Sequence, residues 1–176
     1  MRYLQGEEIA KAEKYMAEAV QEALKSRCNK SKRGVVIVKD GQIIGRGQNN
    51  PPLDIECKPS YCGPICGKYC VHGEQKAILD ALGNGRGLGG SRMYHIKVKE
   101  GQAVNSGSPS CVDCSKLVLE ARIAEFVLKH DKGYGLYGAR EFHELSLKHL
   151  KSQSENQLQK KEEQVKGNMD IGGTGD

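Results

Sequence analysis

The sequence has no tryptophan, only two phenylalanines, and 5% aromatic residues in all. With 38% hydrophobic residues, its core must therefore be aliphatic, built from Val, Ile, Leu and Ala. No window approaches the ~18 consecutive apolar residues of a membrane span. The N-terminal "MRYLQGEEIAKAEKYM" lacks the apolar centre of a signal peptide. These absences lead us to expect a soluble, cytoplasmic protein with no membrane partner. Charge is only mildly biased: the net is +5 and the sequence pI about 8.8. Such a balance suits a phosphate-bearing ligand without requiring nucleic acid. The one basic run, "KSRCNKSKR" (residues 25–33), reads either as a solvated loop or as a phosphate contact.

What is present is cysteine, seven in 176 residues. In a reducing compartment these are metal ligands or buried thiols rather than disulfides. The length suits one domain of roughly 150 residues and a tail. Residues 7–27 have helical periodicity, with Ile9, Met16, Val20 and Leu24 near one face. "GVVIVKDGQIIGRGQ" reads as a hairpin turning at Asp40–Gly41. A Pro- and Cys-rich loop precedes "VHGEQKAILDAL" (residues 71–82), a helix whose core stripe would be Ala77, Ile78, Ala81 and Leu82. "GNGRGLGG" lacks the lysine and hydroxyl residue of a phosphate loop and is read as a connection. Strands are expected at 92–98 and 124–130, and helices after "PSCVDC" and over "GAREFHELSLKHL", ending near Leu150. Residues 151–176 hold four Lys and five acidic residues, end in glycines, and read as a polar, disordered tail. This order of elements implies an α/β fold, a three-layer α/β/α sandwich with a mixed central sheet, in one domain over 1–150.

Two short patterns carry chemistry. Cys111 and Cys114 lie three apart at a helix start, where a turn brings both sulfurs together and the helix N-terminus favours the thiolate. His72, at the start of another helix, would complete a Cys₂His set, leaving one tetrahedral position open, as catalytic zinc requires. A zinc ion neutralised by two thiolates acidifies water less than an all-imidazole site does. A nearby carboxylate must then help with the proton, and Glu74, two residues after His72, is placed for that catalytic role. A lone His is commonly structural, and Cys-x-x-Cys alone is also a redox or structural motif. The combination in this order is specific.

The His-x-Glu…Cys-x-x-Cys pattern resembles that of the zinc-dependent cytidine and deoxycytidylate deaminases. "SRCNKSKRGVVIVKDGQIIGRGQNNPP", "VHGEQKAI" and "CSKLVLEARIAEFVL" resemble the deoxycytidylate (dCMP) deaminase branch over roughly residues 5–150. The resemblance implies a cytidine deaminase-like fold and hydrolysis of a free pyrimidine nucleotide, dCMP to dUMP with release of ammonia. It implies a homo-oligomer, zinc on His72, Cys111 and Cys114, Glu74 as proton shuttle, and Asn49 on the nucleotide sugar. Arg33, Arg27 or Lys32 would lie near the phosphate. Turn chemistry before Pro51 is the alternative for Asn49. A second, structural zinc is expected on Cys57, Cys62, Cys66 and Cys70, with Cys28 as a substitute ligand. The chain departs from the family at Gly73, Gln48, Lys76 and Ser110, which puts the substrate in question. Deaminases of cytosine, cytidine or a tRNA nucleoside are the alternative enzymes. A non-catalytic zinc-stabilised nucleotide- or RNA-binding module is the alternative outside enzymology, disfavoured because Glu74 is not a ligand.

Overall fold

In a computed structural model that describes residues 1–53, 55–58, 60 and 69–170, with side chains through residue 159, the chain begins with β1 (Arg2–Tyr3) and α1 (Glu7–Leu24). The hairpin β2 (Lys32–Lys39) and β3 (Gln42–Gln48) follows, then α2 (Gly73–Gly83) and β4 (Arg92–Lys99). β5 (Gln102–Val104), α3 (Val112–Glu120), β6 (Glu125–His130), β7 (Gly133–Gly138) and α4 (Ala139–Asp170) complete it. The strands form one mixed sheet in the order β1-β7-β6-β4-β2-β3, with β5 paired to the end of β4. Among the described strands, only β4 and β6 pair in parallel. The crossover between them carries α3, as a parallel connection demands.

β2 shows why three layers form. Val35 and Ile37 pack with Ala77, Ile78 and Val118 on the side of α2, α3 and α4. Val36 and Val38 pack with Ala12, Met16 and Ala19 of α1 on the other side. A strand buried on both faces reads as a continuous apolar run, and "VVIV" is that run. Asp40 and Gly41 both adopt positive φ, 50° and 75°, the conformation of the tight turn expected for Asp-Gly.

Three expectations need correction. First, the packed face of α1 is Ala12, Tyr15, Met16, Ala19 and Ala23, while Ile9 and Leu24 are exposed. α1 approaches β2 so closely that a Cβ on Gly34 would lie 1.9 Å from the Ala19 carbonyl oxygen. Only small residues fit such a contact, so the larger aliphatics are turned outward. Second, Leu82 is exposed, and α2 packs through Ala77, Ile78 and Ala81. Third, the last helix does not end near Leu150: α4 continues to Asp170, with every side chain from Leu147 to Gln159 exposed. Lys, Gln and Glu are good helix formers even without a face to bury. β1, β5 and β7 were not expected from sequence. No helix among the described residues is long and apolar enough to cross a membrane.

Candidate active site

A cleft of about 250 Å³ opens where α2 and α3 begin. His72 occupies the N-cap position of α2 in extended conformation, φ −76° and ψ 156°, where Ser or Asp is more usual. Its backbone N–H donates to the Gln75 side-chain oxygen at 3.0 Å, which closes the helix end. Cys111 takes the same position on α3, and its sulfur accepts the Cys114 backbone N–H at 3.4 Å. Both helix starts thus place a side chain able to ligate a metal at the cap position.

The three donors converge. His72 Nδ1 lies 3.2 Å from Cys114 Sγ and 3.4 Å from Cys111 Sγ. All three ligand atoms fall within 4.8 Å of one another. Tetrahedral zinc with bonds of about 2.0–2.3 Å holds its donors about 3.5–3.8 Å apart, so the cluster fits the ion. The protonation of the donors points the same way. The Cys111 thiol is pulled down to about 5 by the hydrogen bond from Cys114, and by His72, against the cost of burial. That same bond and burial push the Cys114 thiol up, and the bond to Cys111 raises His72. Two thiols and an imidazole thus share protons across a space that suits a divalent cation.

Glu74 is buried on the first turn of α2, within the same cleft. Burial alone would raise its carboxyl, but His95, His72 and Arg33 around it outweigh that and hold it below the usual carboxylate range. Glu74 Oε1 lies 4.0 Å from His95 Nε2. His95 is itself pushed down to about 4, chiefly by burial. Arg33 reaches in from β2, with Nη1 3.5 Å from His95 Nε2 and donating to the Ser106 carbonyl at 3.1 Å.

Asn49 lines the cleft, but its side chain is engaged by the protein. Its oxygen accepts from the Arg33 backbone N–H at 2.8 Å and the Ser26 hydroxyl at 3.0 Å, and its amide donates to the Ser31 carbonyl at 2.8 Å. Turn-like packing of the 26–31 loop is thus one role of Asn49, and its amide has a second hydrogen beyond the bond to Ser31. Of the basic run, Lys30 and Arg33 line the cleft. Arg27 instead donates to the Leu53 carbonyl. Cys28 and Cys70 are buried along the cleft wall and Cys57 is half-buried, whereas Cys62 and Cys66 lie outside the described residues. Sequence reasoning missed His95, Lys30 and Ser106. Nothing marks His95 in sequence except a histidine inside an apolar strand.

Residues 9–130 match the sequence profile of the cytidine and deoxycytidylate deaminase zinc-binding region. No curated protein is significantly similar to the chain. Among solved structures, dCMP deaminase from the cyanophage S-TIM5 in apo form is similar at 23% identity and a TM-score of 0.53, over 70% of this chain and 82% of that one. The same enzyme in complex with dCMP and dUMP gives 25% identity and a TM-score of 0.52 over the same shares. Cytidine deaminase from Burkholderia pseudomallei is similar at 18% identity and a TM-score of 0.53, over 79% of this chain and 96% of that one. The converging His72, Cys111 and Cys114, the buried Glu74 beside them and the profile match over most of the domain lead to one assignment: this chain belongs to the zinc-binding cytidine and deoxycytidylate deaminase family.

Proposed function

We propose that the protein is a hydrolytic deaminase of a free pyrimidine nucleotide, with dCMP converted to dUMP and ammonia. The observation that carries this is the placement of Glu74, a buried carboxylate that is not needed as a ligand, on the same helical turn as His72. A zinc ion held by His72, Cys111 and Cys114 would lower the pKa of water and so supply a nucleophile at neutral pH. Glu74, kept ionised by its neighbours, accepts a proton from the attacking water. It passes that proton to the ring nitrogen, then takes the second proton from the added hydroxyl and gives it to the departing amino group, so that water and the amino-pyrimidine become the oxo-pyrimidine and ammonia. Lys30 and Arg33 give the cleft wall two cations, which favours an anionic substrate over a free base or nucleoside. Asn49 holds the wall that carries them and offers its remaining amide hydrogen to a sugar hydroxyl. The phage enzyme bound to dCMP and dUMP supports the same substrate class.

The test is ammonia release from dCMP, CMP, cytidine and cytosine, with zinc quantified in the same preparation. Turnover of dCMP well above cytidine and cytosine is expected. Preference for cytosine or cytidine would replace the substrate assignment, and zinc binding without ammonia release from any of the four would remove the reading. A second zinc on Cys57, Cys62, Cys66 and Cys70 belongs to the same reading, supported by four thiols within fourteen residues of a loop with little apolar content. It requires two zinc ions per chain in the wild type and one after Cys62→Ser with Cys66→Ser.

A further inference from the structure

The Arg33 guanidinium is held on the cleft wall by two neutral acceptors and by no carboxylate among the described residues. Its Nη1 donates to the Ser106 carbonyl at 3.1 Å and to His95 Nε2 at 3.5 Å. That nitrogen has two protons, one for each acceptor. Nε and Nη2 carry three further N–H groups. These have no partner among the described residues and are not sealed from solvent. One edge of the guanidinium is thus fastened and the other is free.

The sheet fixes both acceptors. Ser106 donates its backbone N–H to the Lys129 carbonyl at 2.9 Å. Its hydroxyl donates to the His95 carbonyl at 3.3 Å and accepts the Lys97 N–H at 3.2 Å. His95 is 4% exposed, in register with Val35 of β2 and Leu128 of β6. A ring that accepts at Nε2 carries its one proton on Nδ1. That N–H is buried with no partner among the described residues, which destabilises the fold. An aliphatic side chain at this position would avoid the penalty. What the imidazole supplies in its place is the Nε2 lone pair, and Arg33 takes it. Glu74 Oε1, 4.0 Å from the same nitrogen, is beyond hydrogen-bond range.

The neutrality of the two acceptors has a chemical consequence. A carboxylate in either place would orient the guanidinium but offset its charge and compete with an anionic ligand. An imidazole and a carbonyl orient it and leave the charge whole. A guanidinium set in advance loses less freedom when its N–H fork grips a phosphate. We propose that His95, accepting from Arg33 at Nε2, is a positioning residue that presents the free guanidinium edge to the phosphate of the nucleotide. The role rests on the reading of the substrate as a nucleotide, whereas the His95–Arg33 contact does not and is measured without substrate. In the zinc-loaded full chain, ¹⁵N NMR of the histidine rings, with the His95 signals identified by their loss in His95→Gln, is expected to show the proton on Nδ1. The Nε2 resonance is expected to move in Arg33→Met. A proton on Nε2, or a resonance indifferent to Arg33→Met, overturns the proposal whatever the substrate.

Calorimetric binding of dUMP and deoxyuridine isolates the phosphate without turnover. The wild type is expected to bind dUMP more tightly than deoxyuridine. His95→Leu, which keeps the bulk and removes the acceptor, is expected to lower dUMP affinity about fivefold to thirtyfold and leave deoxyuridine within about twofold. His95→Gln, whose amide oxygen accepts from Arg33 in place of Nε2, is expected to recover part of the loss and serves if the Leu variant folds poorly. Equal weakening of both ligands would make His95 packing. That result, or dUMP affinity unchanged in both variants, overturns the positioning role and leaves the nucleotide reading standing. Equal affinity of the wild type for dUMP and deoxyuridine removes the nucleotide reading and the phosphate role with it.

Discussion

Gly47 of β3 lies against Gly73, the first residue of α2, so closely that a Cβ on Gly47 would come within 2.3 Å of the Gly73 carbonyl oxygen and 2.4 Å of the Ala77 nitrogen. Both contacts are with backbone, which cannot swing aside. Gly47→Ala must push α2 off the sheet, and α2 carries His72 and Glu74 at its entrance. We expect a loss of about 1–3 kcal/mol in stability, the usual cost of overpacking, together with weaker zinc retention and lower activity. Gly83→Ala, at the far end of the same helix, meets open space and should be neutral or slightly stabilising. Thermal melts and zinc content of the two variants compare the contacts directly.

Glu74→Gln should retain fold and zinc while turnover falls by roughly 10²–10⁴. The amide matches the shape of the carboxylate and cannot take a proton. Activity within tenfold of wild type would remove Glu74 from the chemistry.

Asn49→Ala leaves the Arg33 N–H and the Ser31 carbonyl to find other partners, while the Ser26 hydroxyl keeps its bond to the residue 49 backbone carbonyl. Destabilisation of about 2–4 kcal/mol is expected from the buried groups left unpaired. KM should rise as well, because the wall bearing Lys30 and Arg33 loosens. A change in KM at unchanged melting temperature would show that Asn49 acts on the substrate alone.

Acid should destabilise the fold through His95. Its ring is pushed down to about 4 in the fold, below the ordinary value near 6.5, so protons bind the unfolded chain more readily. The stability this provides is complete above pH 6.5 and drains away as pH falls toward 4. In metal-free protein, denaturant titrations should show this loss in the wild type and less of it in His95→Gln. The expected difference is of order a few kcal/mol across that interval. Equal slopes for the two proteins would mean that His95 titrates normally.

Removing residues 155–176 should leave the melting temperature within about 2 °C of wild type, since the side chains from Leu147 to Gln159 are exposed and contribute no core. Helical circular dichroism should drop with the missing turns. A large fall in melting temperature would show that this helix docks on something, a second copy included.

The convergence of His72, Cys111 and Cys114, with Glu74 beside them, was legible in the sequence because metal chemistry demands particular residue types at particular spacings. The hairpin at Asp40–Gly41 was legible because that dipeptide tolerates positive φ at both positions. The packed face of α1 was not, because periodicity weighs large aliphatics while Gly34 admits only Ala19 and Ala23. β1 is two residues long and β5 three, too short for alternation to register. β7, "GYGLYG", carries glycines that read as loop. The reach of α4 was missed because its polar stretch has exposed side chains from Leu147 to Gln159, where no apolar periodicity marks a helix. His95 was invisible for a different reason. Its significance depends on Glu74 and Arg33, distant in sequence and adjacent only across the sheet.

The three candidate ligands stand at the starts of two helices, with His72 and Cys111 39 positions apart in the chain. Synthesis delivers the N-terminal part first. The nascent polypeptide therefore exposes His72 and Glu74 well before either sulfur of the motif exists. Even then the donors stay apart until β4 has joined β2 and carried the second helix into place. Under the proposed function, metal capture would thus be a late event in the life of each molecule, and a chain stalled before Cys111 would hold Glu74 and His72 without either thiol.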